Sequence, residues 1–259
     1  MNEFQGKVAL VTGGGRGIGR AIALALAQAG CDVAVLARTH GEIEQVAAEI
    51  QAIGQRSFAI SSDLSDGKAI THAFTAITKE LGPIAILVNN AGVVEPLGSI
   101  QTVDPDAWAQ AIDINLIGAF RWMRACLPMM LERGWGRIIN ISTGAATETG
   151  MENSSAYSTS KAGLEMLTRN SAAELRGKGV TVNAVRPGTV DTAMQAHIRG
   201  LPIEQVGQQI HDRFKGLYEQ GTLLEPSRPA RLVVNLLRGE STGEIVSIYD
   251  QRGQELLKQ

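Results

Sequence analysis

Cysteine, histidine, aromatic side chains and long apolar runs are all scarce in this chain, and each shortage removes a class of function. Cys31 and Cys126, its two cysteines, lie far apart in no local pattern, so a disulfide framework is not expected. The four histidines, His40, His72, His197 and His211, show no paired-ligand spacing, so no metal site is expected either. No uninterrupted apolar run approaches the ~18 residues of a membrane span, and the opening Met-Asn-Glu-Phe-Gln-Gly-Lys7 lacks a signal-peptide core. A cytoplasmic protein with no membrane partner is the expectation. With 24 basic against 26 acidic residues the formal charge is −2, which leaves no long-range field for nucleic acid. The expected partner is a small molecule.

Glycine, in contrast, is abundant at 29 of 259 residues, above the usual ~7%. The length suits one large α/β domain spanning 1–259. Val8-Ala-Leu-Val-Thr12 has strand length and runs directly into Gly13-Gly-Gly-Arg16-Gly17-Ile18-Gly19, then into the helix-forming Arg20 to Ala29. Strand, glycine loop and helix together form the setting in which backbone approaches a pyrophosphate at a helix N-terminus. The alternative is a glycine-rich turn in an unrelated α/β protein.

A second strand, Asp32 to Arg38, ends in Ala37-Arg38-Thr39. An acidic residue at this strand end would bind a ribose, whereas Arg suits a 2′-phosphate, and Arg16 can reach the same group. NADP(H) is therefore expected over NAD(H); otherwise both arginines are solvated surface charges. After a helix at Glu42–Ile53 and a strand at Ser57–Ser61, Ser62-Asp63-Leu64-Ser65-Asp66 lies at a strand's carboxyl end, where Asp63 suits an adenine edge and Ser65 or Asp66 can cap the next helix, capping alone being the alternative for the stretch. The next helix spans Ala69 to Leu81. Ile84 to Val88 reads as a doubly buried strand broken by Asn89-Asn90-Ala91-Gly92. Asp104-Pro105 opens a helix in the favoured order of cap, then proline; it runs past Asn115 to Met123, and Pro128 is expected to kink it or start a new segment. Asn115 is polar among apolar neighbours, and a buried amide there serves either a water or a nearby backbone group.

Arg137 to Thr143 is a further strand with Ser142 and Thr143 at its carboxyl end. Beyond it, Ser154 or Ser155 can cap a helix that carries Tyr157 and Lys161 four residues apart on one face. A charge pair 4 Å apart at an effective dielectric of ~20 is worth roughly 4 kcal/mol, equivalent to about three pKa units, an upper bound on the lowering of the phenol. The alternative is an exposed helix face with an incidental Tyr and Lys. Val180 to Val185 is a sixth strand closed by Arg186-Pro187-Gly188-Thr189, and Glu244 to Tyr249 a seventh. The economical topology is a doubly wound, mainly parallel sheet of about seven strands flanked by helices, a Rossmann fold. The long connection at 190–226 is either a substrate lid or a helical pair for oligomer packing.

These motifs, in this order, resemble the short-chain dehydrogenase/reductase family over essentially residues 6–250: Thr12-Gly13-x-x-x-Gly17-x-Gly19, Asp63-Leu64, Asn89-Asn90-Ala91-Gly92, Asn115, Tyr157-x-x-x-Lys161 and Pro187-Gly188. The resemblance implies hydride transfer between NADP(H) and a carbonyl or alcohol, with Tyr157 as general acid/base. It further implies that Lys161 lowers the Tyr157 pKa and bonds the nicotinamide ribose, and that Asn115 supports a relay water. Asn90, Ala91 and Gly92 would line the cofactor; Pro187, Gly188, Val190 and Thr192 would approach its carboxamide and phosphates. It also implies a homo-oligomer, dimer or tetramer. The competing readings are an NADP(H) sensor without turnover and an NAD-dependent alcohol dehydrogenase. The chain departs from the family pattern twice. The position thirteen before the tyrosine, where members place the catalytic serine, is Gly144; a one-residue insertion in the loop makes Thr143 the preferred hydroxyl over Ser142. At the other end, Tyr249-Asp250-Gln-Arg-Gly253 replaces the usual Asp-Gly-Gly-like turn.

Overall fold

The computed structural model of the chain describes residues 4–147 and 151–259. Seven strands, β1 (Val8–Thr12), β2 (Asp32–Ala37), β3 (Ser57–Ser61), β4 (Ile84–Asn89), β5 (Gly136–Ile141), β6 (Val180–Arg186) and β7 (Ile245–Ser247), form one sheet in the order β3-β2-β1-β4-β5-β6-β7. All pairings are parallel. Chain order reverses between β1 and β4, which opens a crevice at their carboxyl ends. β1, β4 and β5 are buried along their whole length; β1 and β4 accordingly read as near-continuous apolar runs, whereas β5 also buries Arg137 and Asn140.

The helices in chain order are α1 (Gly17–Gln28), α2 (His40–Ile53), α3 (Gly67–Glu80), α4 (Pro105–Ile112), α5 (Gly118–Glu132), α6 (Ser155–Glu174), α7 (Ala193–Arg199), α8 (Ile203–Val206), α9 (Gln208–Glu219), α10 (Ser227–Arg238) and α11 (Gln251–Leu257). One face of the sheet is covered by α1, α2, α10 and α11 through Ile22, Leu26, Ile43, Ile50, Leu232 and Leu256. The other is covered by α3, α5 and α6 through Ile70, Ile77, Trp122, Met123, Ala172 and Leu175. None of the helices is long and apolar enough to cross a membrane, among the described residues.

Three local expectations need correction. The helix opened by Asp104, whose carboxylate accepts from Ala107 N at 2.7 Å, does not break at Pro128. It is interrupted earlier by a π turn at Asp113–Ile117, and α5 then runs through Pro128 to Glu132. Arg124 and Pro128 both lie on the exposed face, so the carbonyl freed by the missing N–H can be hydrated. The seventh strand is only Ile245–Ser247, because Asp250 turns the chain into α11, accepting from Ser247 N at 2.8 Å and Gly253 N at 2.6 Å. Neither Ser154 nor Ser155 caps α6 by a side-chain bond; Ser154 Oγ donates to Met151 O at 2.8 Å, and Ser155 Oγ accepts from Trp108 Nε1 at 3.2 Å.

The connection at 190–226 folds as α7, α8 and α9. Ile198, Val206 and Ile210 pack with Val94 and Leu97, with Met151, Tyr157 and Phe214 against them, so this connection owns a small apolar core over the strand ends. Its neck is clasped where Val190 and Leu224 bridge, with Leu224 N donating to Thr189 O and Asp191 N to Leu224 O.

Candidate active site

A cleft of about 520 Å³ lies in the crevice above β1, β2 and β4. Gly13, Gly17, Ile18 and Gly19 line it from the glycine loop, Arg16, Arg38, Asp63 and Leu64 from one flank, and Asn90, Ala91 and Gly92 from the other. Gly13 has φ +63°, and a Cβ there would stand 2.8 Å from Ala91 Cα, so only glycine lets the two loops close on each other. Asn90 fastens them: its Nδ2 donates to Thr12 O at 2.9 Å and Gly13 O at 3.1 Å, while Thr12 Oγ1 accepts from Asn90 N and Ala91 N, both at 3.1 Å. The Asn90 side chain therefore shapes the loop, and its place on the cleft wall follows from that. No side chain caps α1 at Arg16, which leaves the first-turn N–H groups to an outside acceptor.

Arg16 lies 3.6 Å from Glu42 and is largely exposed. Arg38 is exposed beside Asp63, whose carboxyl sits below its ordinary range chiefly because Ser65 N–H and Ser65 hydroxyl bond it, with Arg38 adding to the effect. The helix cap expected in this stretch is Asp66, which accepts from Lys68 N at 2.7 Å. Arg121, from α5, donates to Ser65 O at 2.9 Å and staples the loop to the helix. This uncapped, glycine-walled cleft with two arginines at one end fits a dinucleotide bearing an extra phosphate.

A second chamber of about 220 Å³ adjoins the cleft, and Ser142, Tyr157, Pro187 and Thr192 line both. Thr143, Gly188 and Val190 line the chamber, next to Pro187 and Thr192, which line both cavities. Gly188 has φ +80° and a Cβ there would stand 2.8 Å from Tyr249 Oη.

Tyr157 and Lys161 share one face of α6 as their spacing requires. The electrostatic expectation needs correction, however. Burial pushes the Tyr157 phenol up from its ordinary value, and what opposes this is the Thr143 hydroxyl rather than Lys161. Burial likewise brings the Lys161 ammonium down to about 8, with Nζ donating to Ile141 O at 2.7 Å. The two hydroxyls at the end of β5 are now distinguished. Thr143 acts on the phenol, whereas Ser142 Oγ donates to Glu165 Oε1 at 2.7 Å. Residues 148–150 of the loop that would hold the extra residue lie outside the described residues.

Asn115 sits in the π turn, buried, with Oδ1 accepting from Val93 N at 2.8 Å and Nδ2 donating to Val93 O at 2.8 Å and Ser160 Oγ at 3.0 Å. Of the two roles open to this amide, backbone satisfaction is the one its bonds describe. A Cβ on Gly92 would stand 3.1 Å from Asn115 Oδ1 and 3.4 Å from Lys161 Nζ, so these three groups are immediate neighbours.

Sequence reasoning missed Glu165 and Arg186. Glu165 is buried on the Tyr157 face of α6 and takes both Arg186 Nε and Nη2 at 2.7 Å. The pair ties α6, β5 and β6 together beneath the chamber. The signal available was a lone acidic residue on a buried helical face and an Arg before Pro187. No group of three or more His, Cys, Asp or Glu side chains able to hold a metal occurs among the described residues.

Residues 7–200 match the family model described as short chain dehydrogenase. The chain belongs to the short-chain dehydrogenase family. Its curated relatives in this family include the 3-oxoacyl-[acyl-carrier-protein] reductase of Pseudomonas aeruginosa, 37% identical over 217 residues, covering 80% of this chain and 86% of the relative. The enzyme of the same name from Aquifex aeolicus is 35% identical across 95% of this chain and 97% of its own length. Among solved short-chain dehydrogenases, a variant actinorhodin polyketide ketoreductase with NADPH superposes with a TM-score of 0.85 at 32% identity, covering 93% of this chain and 95% of that one. An NAD+-bound xylitol dehydrogenase superposes with a TM-score of 0.83 at 28% identity, covering 95% and 98%. The protein is thus an oxidoreductase by family, while its solved neighbours differ in which nicotinamide cofactor they carry.

Proposed function

We propose that this short-chain dehydrogenase interconverts a carbonyl and an alcohol with NADP(H), its chemistry taking place where the cleft meets the chamber. The observation that carries the reading is Tyr157 at that junction, with Thr143 against its phenol and Lys161 buried one turn along α6. NADPH, which the glycine loop and Arg38 would hold in the cleft, would supply the hydride for the carbonyl carbon. Tyr157 gives its phenolic proton to the oxygen as negative charge develops there, and takes it back in the oxidation direction. Burial keeps the phenol protonated, which suits it as the acid in reduction. Thr143 steadies the same oxygen through its hydroxyl. Lys161 would hold the nicotinamide ribose, and Asn115 fixes the Val93 backbone. Gly13, Arg16, Gly17, Ile18, Gly19, Asp63, Leu64, Asn90, Ala91 and Gly92 hold the remaining nucleotide, with Pro187 and Thr192 at its nicotinamide end.

Arg38 favours NADP(H) over NAD(H): the strand end offers no carboxylate to the ribose, and two guanidiniums can meet a phosphate there. The α7–α9 segment, clasped at Val190 and Leu224, acts as a lid over the substrate. A homo-oligomer is supported by Ile117, Phe120 and Met166, which are exposed on the outward sides of the helices covering the α5 and α6 face. Among the named activities of the relatives, reduction of a keto group is the one the protonated Tyr157 fits best.

The decisive experiment is Tyr157→Phe. Carbonyl-dependent NADPH oxidation should fall by at least about a thousandfold while the affinity for NADPH, measured by fluorescence, stays within a factor of about three. Turnover preserved in this variant would remove Tyr157 from the reaction.

A further inference from the structure

Gln195 is 5% exposed on α7, and neither its amide nitrogen nor its amide oxygen has a hydrogen-bond partner. Its backbone N–H is engaged at the helix start, donating to Thr192 Oγ1 at 3.3 Å, while the side-chain amide is unmatched. Buried amides are costly when unpaired, and one in the wall of a cavity marks a place where a ligand restores the bonds. Gln195 lines the 220 Å³ chamber next to Tyr157.

The remaining walls of that chamber define the ligand. Val94, Val190 and Phe214 are apolar. Its lining includes two arginines and neither Asp nor Glu, among the described residues. Arg186 is neutralised by the bidentate Glu165. Arg213, on α9, has no ion-pair partner among the described residues and leaves the chamber with one uncompensated positive charge. The small volume limits the occupant to a short chain.

We propose that the chamber binds the far end of the substrate and that this end is a carboxylate, received by the Gln195 amide N–H and by Arg213. The substrate class is then a short oxo acid, or the corresponding hydroxy acid in the reverse direction; this assignment rests on the carbonyl-reductase reading above. Arg213 drawn to the carboxylate also offers an N–H to the Gln195 amide oxygen, so one ligand satisfies both halves of the amide. The lid segment would thereby carry the specificity, since Gln195 and Arg213 both stand on it, packed together through α7 and α9.

The test is a matched series of methyl ketones on the whole protein with NADPH: levulinate and its two next-longer homologues, their primary amides, and the isosteres in which isopropyl replaces carboxylate. For at least one length, kcat/KM for the carboxylate should exceed that for the isopropyl isostere by about tenfold or more. Gln195→Met should lower this ratio at least about tenfold, and Gln195→Glu further, by setting like charges together. Arg213→Gln should lower it about threefold to tenfold, since the guanidinium is exposed to solvent. A wild-type preference for the isopropyl or amide compounds overturns the proposal, as does a ratio unchanged in Gln195→Met. If no compound is turned over, the reductase reading fails separately, and calorimetric titration of the same series still decides: selective, Gln195-dependent binding of the carboxylates sustains the chamber assignment, and its absence overturns it.

Discussion

The cofactor side of the site and the lid side each bury a side-chain amide, and the two are in opposite states. Asn115 has bonds on both polar atoms, to the Val93 backbone and to Ser160. Gln195 has none. On the cofactor side the same pattern recurs, with Asn90 spent on Thr12 and Gly13 and Lys161 on Ile141. These groups define a shape before any ligand arrives, which is what preorganisation requires. The α7–α9 side is built around an apolar cluster and leaves the Gln195 amide and Arg199 Nη1 without hydrogen-bond partners. Ser62 Oγ, on the cleft wall, is also without a hydrogen-bond partner, so the contrast is one between the two amides.

The comparison breaks first at Asn115. Asn115→Leu keeps the volume but strands Val93 N–H, Val93 C=O and Ser160, and should cost about 3 kcal/mol in urea denaturation. A variant as stable as wild type would show that the cofactor side is not held by this amide. Next in size, Arg38→Asp should lower NADPH affinity by more than about tenfold and invert the preference over NADH, read by titration with each nucleotide. An unchanged preference would move the phosphate site away from Arg38.

Lys161 supplies a test in pH. Its folded pKa of about 8 lies below the ordinary 10.5. Between these values the unfolded chain binds more protons, so this group's contribution to stability rises with pH across that window. Below about pH 8 the cost of the buried charge is fully present. Cys31 and Tyr157, both raised by burial, work in the opposite direction at higher pH, above about 9 and 10 respectively. Lys161→Met should therefore be more stable than wild type at pH 7, with the gap closing by about 1 kcal/mol at pH 9. A constant gap would mean that the amine is not desolvated. Smallest of all, Gln195→Met should raise the stability of the ligand-free protein by up to about 1 kcal/mol, the opposite sign to Asn115→Leu for a similar chemical change. A loss of stability would place Gln195 among the scaffold residues.

What could be read from sequence was what is local or periodic. The glycine loop, the buried strands and the Tyr157 to Lys161 spacing each follow from a few consecutive residues, and their order along the chain carried the sheet topology. The fold had little else to supply there. What escaped was set by pairing across the fold. Glu165 and Arg186 lie 21 residues apart and meet only because β6 runs parallel beside β5. Loop length alone favours Thr143 over Ser142, but the Glu165 carboxylate that claims Ser142 is not visible in the sequence. The argument that Lys161 lowers the Tyr157 pKa treated two charges in a uniform medium and left out the burial that governs both groups. Gln195 reads as an ordinary polar helix position until the lid folds over it.

The π turn at Asp113–Ile117 carries one residue more than a regular helix would at that place, so it fixes the phase between two stretches of helix. Upstream, α4 starts from its Asp104 cap; downstream, Trp122, Met123 and Cys126 face the sheet, and a Cβ on Gly118 would stand only 3.0 Å from Leu64. Removing a single residue from this turn would let the helix run regularly and rotate one stretch against the other by about 100°. Either Asn115 would leave Val93 or Trp122 would leave the core. Substitutions around this turn can be absorbed one side chain at a time, but a one-codon deletion cannot, and the reading phase of this helix is among the least negotiable quantities in the chain.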